Sequence, residues 1–104
     1  MDNHTLKTLL ELSQQAYNLY IQNGRKFFHA LTLYEINCRT IETLFKKIDS
    51  GLLLSESENQ WLIHLIQWKN SFDYFKKVWQ PNPDDVFAFE KFQGSYSMPQ
   101  NLHY

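Results

Sequence analysis

The 104-residue sequence is poor in residues that break or cross-link a chain, with one cysteine, three glycines and three prolines. A single cysteine excludes an internal disulfide, so the fold does not need an oxidising compartment. The glycines stand singly, which excludes a glycine-rich phosphate-binding loop. The longest apolar runs hold three or four residues, whereas a membrane span needs about 20. We therefore expect one domain, residues 1–104, with its own hydrophobic core and no membrane contact.

The first residues also lack the pattern of a signal peptide. The segment Met1–Thr5 is polar, and the leucines that follow alternate with Lys7, Thr8 and Glu11. This composition predicts a cytoplasmic protein.

An excess of either charge is absent as well, because 10 Lys and Arg residues face 11 Asp and Glu residues. Nucleic-acid binders usually carry a concentrated basic surface, so this balance argues against that function. The basic pairs Arg25-Lys26, Lys46-Lys47 and Lys76-Lys77 lie far apart along the chain. We interpret them as solvated sides of helices and expect no nucleic-acid partner.

The strongest positive pattern is an apolar spacing of alternately three and four residues in two stretches. The first stretch contains Phe27, Leu31, Tyr34, Cys38, Ile41, Phe45 and Ile48, and the second contains Trp61, Leu65, Trp68, Phe72, Phe75 and Trp79. This spacing places each set on one side of an α-helix. It predicts helices at about 25–49 and 55–79 that pack lengthwise as an antiparallel pair. The same apolar sides can pair between two chains, so a homodimer stays open.

Local signals predict where the helices begin and end. An amphipathic helix at about 3–23 ends at Asn23-Gly24, although one longer helix with a kink there is an alternative. Ser50-Gly51 ends the second helix, and Ser55 with Glu58 forms a capping box at the start of the third. Pro81 and Pro83 then stop that helix.

The region after the prolines predicts a short fourth helix at about 84–93, which must dock to be stable. Its apolar edge contains Val86, Phe87, Phe89 and Phe92. The tail at 95–104 lacks periodicity, and we expect it to be mobile unless Tyr96, Leu102 and Tyr104 are tied down. The predicted fold is an all-α antiparallel bundle of three long helices plus a short C-terminal helix.

Residues for catalysis or metal binding are scarce. The four histidines, at positions 4, 29, 64 and 103, lack a second ligand at useful spacing. Cys38 falls on the apolar side of the second helix, where a small buried side chain is the ordinary interpretation. A catalytic Cys38 would need an exposed, electropositive setting. We expect no enzyme activity, no metal and no cofactor.

The chain has more apolar residues than its main helix sides use. Those outside are Phe28, Leu33, Ile36 and Leu44 on the second helix and Leu62, Ile63 and Ile66 on the third. Helices that are apolar over several sides bury the excess against another element or a partner. We predict a protein-binding groove that contains Phe28, Leu44, Leu62 and Ile66.

Two segments resemble the FliT family of flagellar type III export chaperones. In RKFFHALTLYEINCR, the spacing of Phe28, Leu31, Glu35 and Arg39 is similar to the family's second helix, where Trp is common at the position of Phe28. The segment FQGSYSMPQNLHY looks like the family's tail, with an aromatic-Gly segment before a Pro-Gln-Asn-like ending. The order of helices is similar too.

The resemblance implies a chaperone that binds the C-terminal segment of a filament-cap protein before export. It also implies contacts with export-apparatus components or with a flagellar transcription regulator. The helix at 84–93 would then be a displaceable, regulatory cover over the groove. Two other hypotheses remain open: an inhibitor-type interaction protein, such as a phage anti-defence factor or an antitoxin, and an enzyme that uses Cys38 or a histidine.

Overall fold

A computed structural model describes residues 3–78 together with 98, 99, 102 and 104. In this part of the chain the structure contains three helices and no strand: α1 (Asn3–Gln22), α2 (Phe27–Asp49) and α3 (Glu56–Val78). The predicted all-α class is confirmed, and each long helix lies within two residues of its predicted bounds. The predicted helix at 84–93 lies outside the described residues.

The connection between α1 and α2 is a Schellman motif centred on Gly24. The Arg25 amide donates to the Tyr20 carbonyl at 2.7 Å, and the Gly24 amide donates to the Ile21 carbonyl at 3.3 Å. Gly24 has φ +75° and Arg25 has φ +57°, so two successive residues adopt the left-handed conformation. The alternative of one longer kinked helix is therefore wrong.

The end of α2 repeats this motif at Gly51, whose φ is +87°. The Leu52 amide donates to the Lys47 carbonyl at 3.2 Å, and the Gly51 amide donates to the Ile48 carbonyl at 2.9 Å. A Cβ built on Gly51 would meet no heavy atom within 4 Å. Glycine is needed here for its backbone conformation and not for lack of space.

The start of α3 confirms the predicted capping box. The Glu58 amide donates to Ser55 Oγ at 3.1 Å, and the Ser55 amide donates to Glu58 Oε1 at 2.9 Å. Each side chain therefore satisfies a backbone amide that the first helical turn leaves without an intrahelical partner.

Both neighbouring helix pairs are antiparallel, and α2 contacts both other helices. The rings of Phe27 and Phe72 lie 5.9 Å apart at one end of the α2–α3 pair, and Lys47 meets Glu58 at the other end. Ser13 Oγ donates to Asn37 Oδ1 at 3.4 Å midway along α1 and α2. The α1–α2 contact is the more extensive of the two.

The buried side of α2 differs from the predicted one. Its buried residues are Ala30, Leu33, Asn37, Thr40, Ile41 and Leu44. Of the apolar set that predicted the helix, only Ile41 is buried, and Phe45 and Ile48 are exposed. The reason is that α2 contacts both α1 and α3. Its most buried residues therefore lie between the side that faces α1 and the side that faces α3.

The predicted side of α3 is confirmed over most of its length. Trp61, Leu65, Trp68 and Phe72 are buried, and Phe72 stacks on Trp68 with ring centroids 5.2 Å apart. Trp79 lies outside the described residues. None of the described helices contains an apolar window long enough to cross a bilayer.

Candidate functional site

The structure places the four residues predicted to form one groove in different environments. Phe28 is 72% exposed in the first turn of α2, whereas Leu44 and Leu62 are buried in the core and Ile66 is half-buried against it. Phe28 and Leu44 lie 16 residues apart on one helix, or about 24 Å along its axis. In this conformation the four side chains do not form a continuous open surface. The predicted regulatory residues Val86, Phe87, Phe89 and Phe92 lie outside the described residues.

An exposed apolar surface lies instead where α2 ends and the chain turns toward α3. We call it the turn patch, and it consists of Phe45, Ile48, Leu52 and Leu53. Leu53 is 93% exposed, and the other three are between 41% and 46% exposed. The run Leu52–Leu54 is visible in the sequence as three successive apolar residues between the second and third helices.

A buried carboxylate lies beside the turn patch. Glu58 is 4% exposed and accepts two hydrogen bonds from Lys47 Nζ, at 2.9 Å and 3.2 Å. It also accepts a hydrogen bond of 2.5 Å from the Tyr104 hydroxyl, besides the one from the Ser55 amide. We call these four residues the Glu58 cluster, and it joins α2, α3 and the tail.

The hydrogen bonds in this cluster decide its ionisation. Burial alone would raise the pKa of Glu58, but the donors Tyr104, Ser55 and Lys47 together hold that pKa below its ordinary value. Burial and the Glu58 carboxylate both raise the pKa of Tyr104. At neutral pH the carboxylate is therefore charged and the phenol keeps its proton, as the hydrogen bond requires.

The tail contacts the core at the residues that the structure describes. Met98, Leu102 and Tyr104 are half-buried and pack against the core cluster. The predicted condition for an ordered tail, contacts by its apolar residues, is met for Leu102 and Tyr104. Tyr96 lies outside the described residues.

A second tyrosine–carboxylate contact lies toward the other end of the α2–α3 pair. The Tyr34 hydroxyl donates to Asp73 Oδ1 at 2.5 Å, and Lys69 Nζ donates to Asp73 Oδ2 at 2.7 Å. Lys76 Nζ lies 4.1 Å from the centre of the Tyr34 ring, a cation–π contact, and 3.9 Å from Asp73. We call Tyr34, Lys69, Asp73 and Lys76 the Asp73 cluster.

Burial and the same hydrogen bonds shift the pKa values in the Asp73 cluster. Burial would raise the pKa of Asp73, but the hydrogen bonds from Lys69 and Tyr34 lower it overall. Burial, Asp73 and the neighbouring Cys38 thiol raise the pKa of Tyr34. Cys38 is half-buried.

Antiparallel packing also brings distant basic pairs to one end of the bundle. Arg25 and Lys26 precede α2, and Lys76 and Lys77 lie in the last turn of α3. Since Phe27 contacts Phe72, the two pairs lie at the same end. Arg25, Lys26 and Lys77 are exposed, as expected for solvated helix ends.

The remaining candidates do not assemble into a reaction site in the described part of the chain. His64 is half-buried, and burial lowers its pKa. No three His, Cys, Asp or Glu residues of this part lie close enough together to hold a metal ion. Compared with protein-family models, with curated proteins and with solved structures, the chain gives no match. The geometry is that of exposed apolar side chains near a buried, hydrogen-bonded carboxylate.

Proposed function

We propose that this protein is a non-catalytic chaperone or adaptor of the cytoplasm that holds an apolar segment of a client protein. The observation that carries the proposal is the turn patch, four large apolar side chains exposed at one end of a packed helical bundle. Several large apolar side chains exposed within one short stretch of a small domain are typical of a protein-binding site.

The turn patch is large enough to contribute to binding. Burial of one side chain such as Leu53 contributes about 1.5–3 kcal/mol relative to full exposure, and less for the half-exposed residues. Part of this gain offsets the entropy lost on association. The expected partner is therefore an amphipathic helix or an apolar segment that covers several of these side chains at once.

The resemblance of 25–39 and 92–104 to the FliT family supports a more specific form of the proposal. In that form the client is the C-terminal segment of a filament-cap protein, and export-apparatus components or a flagellar regulator are further partners. The apolar edge Val86, Phe87, Phe89 and Phe92 then competes with the client as a displaceable cover. An antitoxin or anti-defence inhibitor is the second candidate, which isolation with a toxin or nuclease would favour.

Matched substitutions test the proposed surface. We expect Leu53→Asp to weaken binding of a filament-cap C-terminal peptide at least tenfold, because a carboxylate then replaces the most exposed apolar side chain of the turn patch. Tyr74→Asp is the control, since Tyr74 is also exposed but lies on α3 away from the turn. Titration calorimetry measures both affinities. Equal effects of the two substitutions would contradict the proposed surface, and no binding of the peptide to the unaltered protein would contradict the flagellar assignment.

The competing cover is tested separately with Val86→Asp/Phe89→Asp. These changes remove apolar surface from the proposed competitor and leave the Glu58 cluster intact. We expect tighter peptide binding, and unchanged or weaker binding would count against the cover. Deletion of 82–104 is a less specific test, because it also removes Tyr104.

A further inference from the structure

The contact between Tyr104 and Glu58 shows what kind of group the end of the α2–α3 pair accepts. Glu58 is nearly inaccessible to solvent, and its carboxylate already accepts hydrogen bonds from the Ser55 amide and Lys47. A carboxylate offers about four lone-pair positions. The position left by those donors is filled by a phenol, a hydroxyl donor on an apolar ring.

Two further described residues of the tail, Met98 and Leu102, add apolar contacts. Leu102 lies two residues before Tyr104, and both side chains pack against the core cluster, as Met98 does. The surface below them therefore receives an aliphatic side chain and a tyrosine separated by one residue. An apolar contact and one charge-assisted hydrogen bond together define a specific sequence requirement.

The turn patch is exposed while the described tail residues are docked. Leu53 lies five residues before Glu58 and is 93% exposed although Tyr104 is docked. A segment from another protein can place a tyrosine on Glu58 and also cover Leu52 and Leu53. The tail and the client segment then make the same hydrogen bond to Glu58. The additional apolar surface that the client buries favours the client.

We propose that the surface occupied by Leu102 and Tyr104 is the recognition site for a client segment with an aliphatic residue two positions before a tyrosine. The client tyrosine donates to Glu58 in place of Tyr104, and the tail is the intramolecular competitor. This inference rests on the proposed function as a client-binding protein and specifies the chemistry of the client.

Peptide binding to the full chain tests the exchange. The probe is a fluorescent synthetic peptide of sequence SYSMPQNLHY, and a second peptide carries Phe in place of its final Tyr. The docked tail has a high effective concentration, so it should suppress binding to the unaltered protein. Tyr104→Phe weakens this competitor by about one hydrogen bond. We therefore expect the Tyr peptide to bind the variant about fivefold to tenfold more tightly than it binds the unaltered protein.

Two comparisons decide the outcome. The Phe peptide should bind the Tyr104→Phe protein about fivefold to tenfold more weakly than the Tyr peptide does. Tyr74→Phe is the matched control, because Tyr74 is an exposed tyrosine on α3 and its loss should leave peptide affinity unchanged. Equal affinity of both peptides, or of the Tyr peptide for the unaltered and Tyr104→Phe proteins, would overturn the proposal.

Two controls show whether a change in peptide affinity reflects a folding defect and whether it bears on the flagellar assignment. Circular dichroism should show the same helix content in both tyrosine variants. Tyrosine-dependent peptide binding without binding of a filament-cap segment supports the recognition site and contradicts only the flagellar client. Binding of the cap segment without any dependence on tyrosine overturns the recognition site and leaves the chaperone function standing.

Discussion

The Glu58 and Asp73 clusters have the same chemical parts and different surroundings. In each, a tyrosine hydroxyl donates at 2.5 Å to a carboxylate that a lysine also holds. The side chains of Glu58 and Lys47 are only 5% and 12% exposed, whereas Asp73 is 38% exposed and its lysines are 33% and 35% exposed. We therefore expect burial, more than the identity of the partners, to set what such a contact contributes.

Access of solvent explains why the two clusters should contribute differently to stability. At the Asp73 cluster, water competes for the carboxylate and screens the lysines, so an exposed ion pair contributes about 0–1 kcal/mol. At the Glu58 cluster, water cannot easily replace a lost partner, and removal of one partner leaves the other buried without compensation. The two clusters share a tyrosine, a carboxylate and a lysine but should respond very differently to substitution.

The largest expected effect is from Glu58→Ala. Loss of this carboxylate leaves buried Lys47 without its ion-pair partner and the Ser55 amide without its cap, so we expect a loss of about 3 kcal/mol in the free energy of unfolding. Asp73→Ala is the matched substitution and should cost about 1 kcal/mol or less. Urea denaturation measures both. Similar losses for the two variants would contradict the expected difference between the buried and the exposed cluster.

Acid provides a second test of the same contrast. The pKa values of Glu58 and Asp73 are lowered in the folded state, so the unfolded chain binds more protons. The stability that each group contributes is present above its ordinary pKa, 4.5 for Glu58 and 3.8 for Asp73, and is lost as pH falls through the folded pKa. Glu58→Gln should flatten the acid limb of a stability–pH curve. An unchanged slope would contradict a charged Glu58.

Stability at alkaline pH tests the hydrogen bonds of Tyr34 and Tyr104, and the expected effect is smaller than that of Glu58→Ala. Their pKa values are raised above 10.0 in the folded state, so their contribution is complete below pH 10.0 and is lost as pH rises further. At neutral pH we expect Tyr104→Phe to cost about 1–1.5 kcal/mol and Tyr34→Phe about 0.5–1 kcal/mol. Each substitution should also reduce the alkaline loss of stability measured by circular dichroism. The reverse order of costs would show that Asp73 depends more on its phenol than burial suggests.

Sequence reasoning was most successful where structure depends on neighbours in the chain. The stops at Gly24 and Gly51 and the capping box of Ser55 and Glu58 involve residues at most five positions apart. Their residue types are needed by the local backbone and are visible without knowledge of the fold. The apolar spacing of α3 likewise predicted its buried side.

The exposure of the predicted groove residues could not be derived from the sequence, because it depends on how the helices pack. Within the apolar spacing of α2, Phe27 and Tyr34 contact Phe72 of α3. Leu33 and Leu44 lie outside that spacing and are nevertheless buried in the core. The groove was therefore assigned to Leu44 and Leu62, which the packing buries. The exposed Leu52 and Leu53 carry no periodicity, so helix patterns did not identify them.

Helix boundaries, the all-α class and the capping of α3 were determined by the sequence alone, since hydrogen bonds within one or two turns decide them. The innermost side of α2 and the pairing of tyrosines with carboxylates were decided only by the tertiary structure. Tyr34 and Asp73 lie 39 residues apart, and Glu58 and Tyr104 lie 46 apart. Contacts over such separations depend on the antiparallel packing of whole helices and on the docking of the tail, which no local pattern specifies.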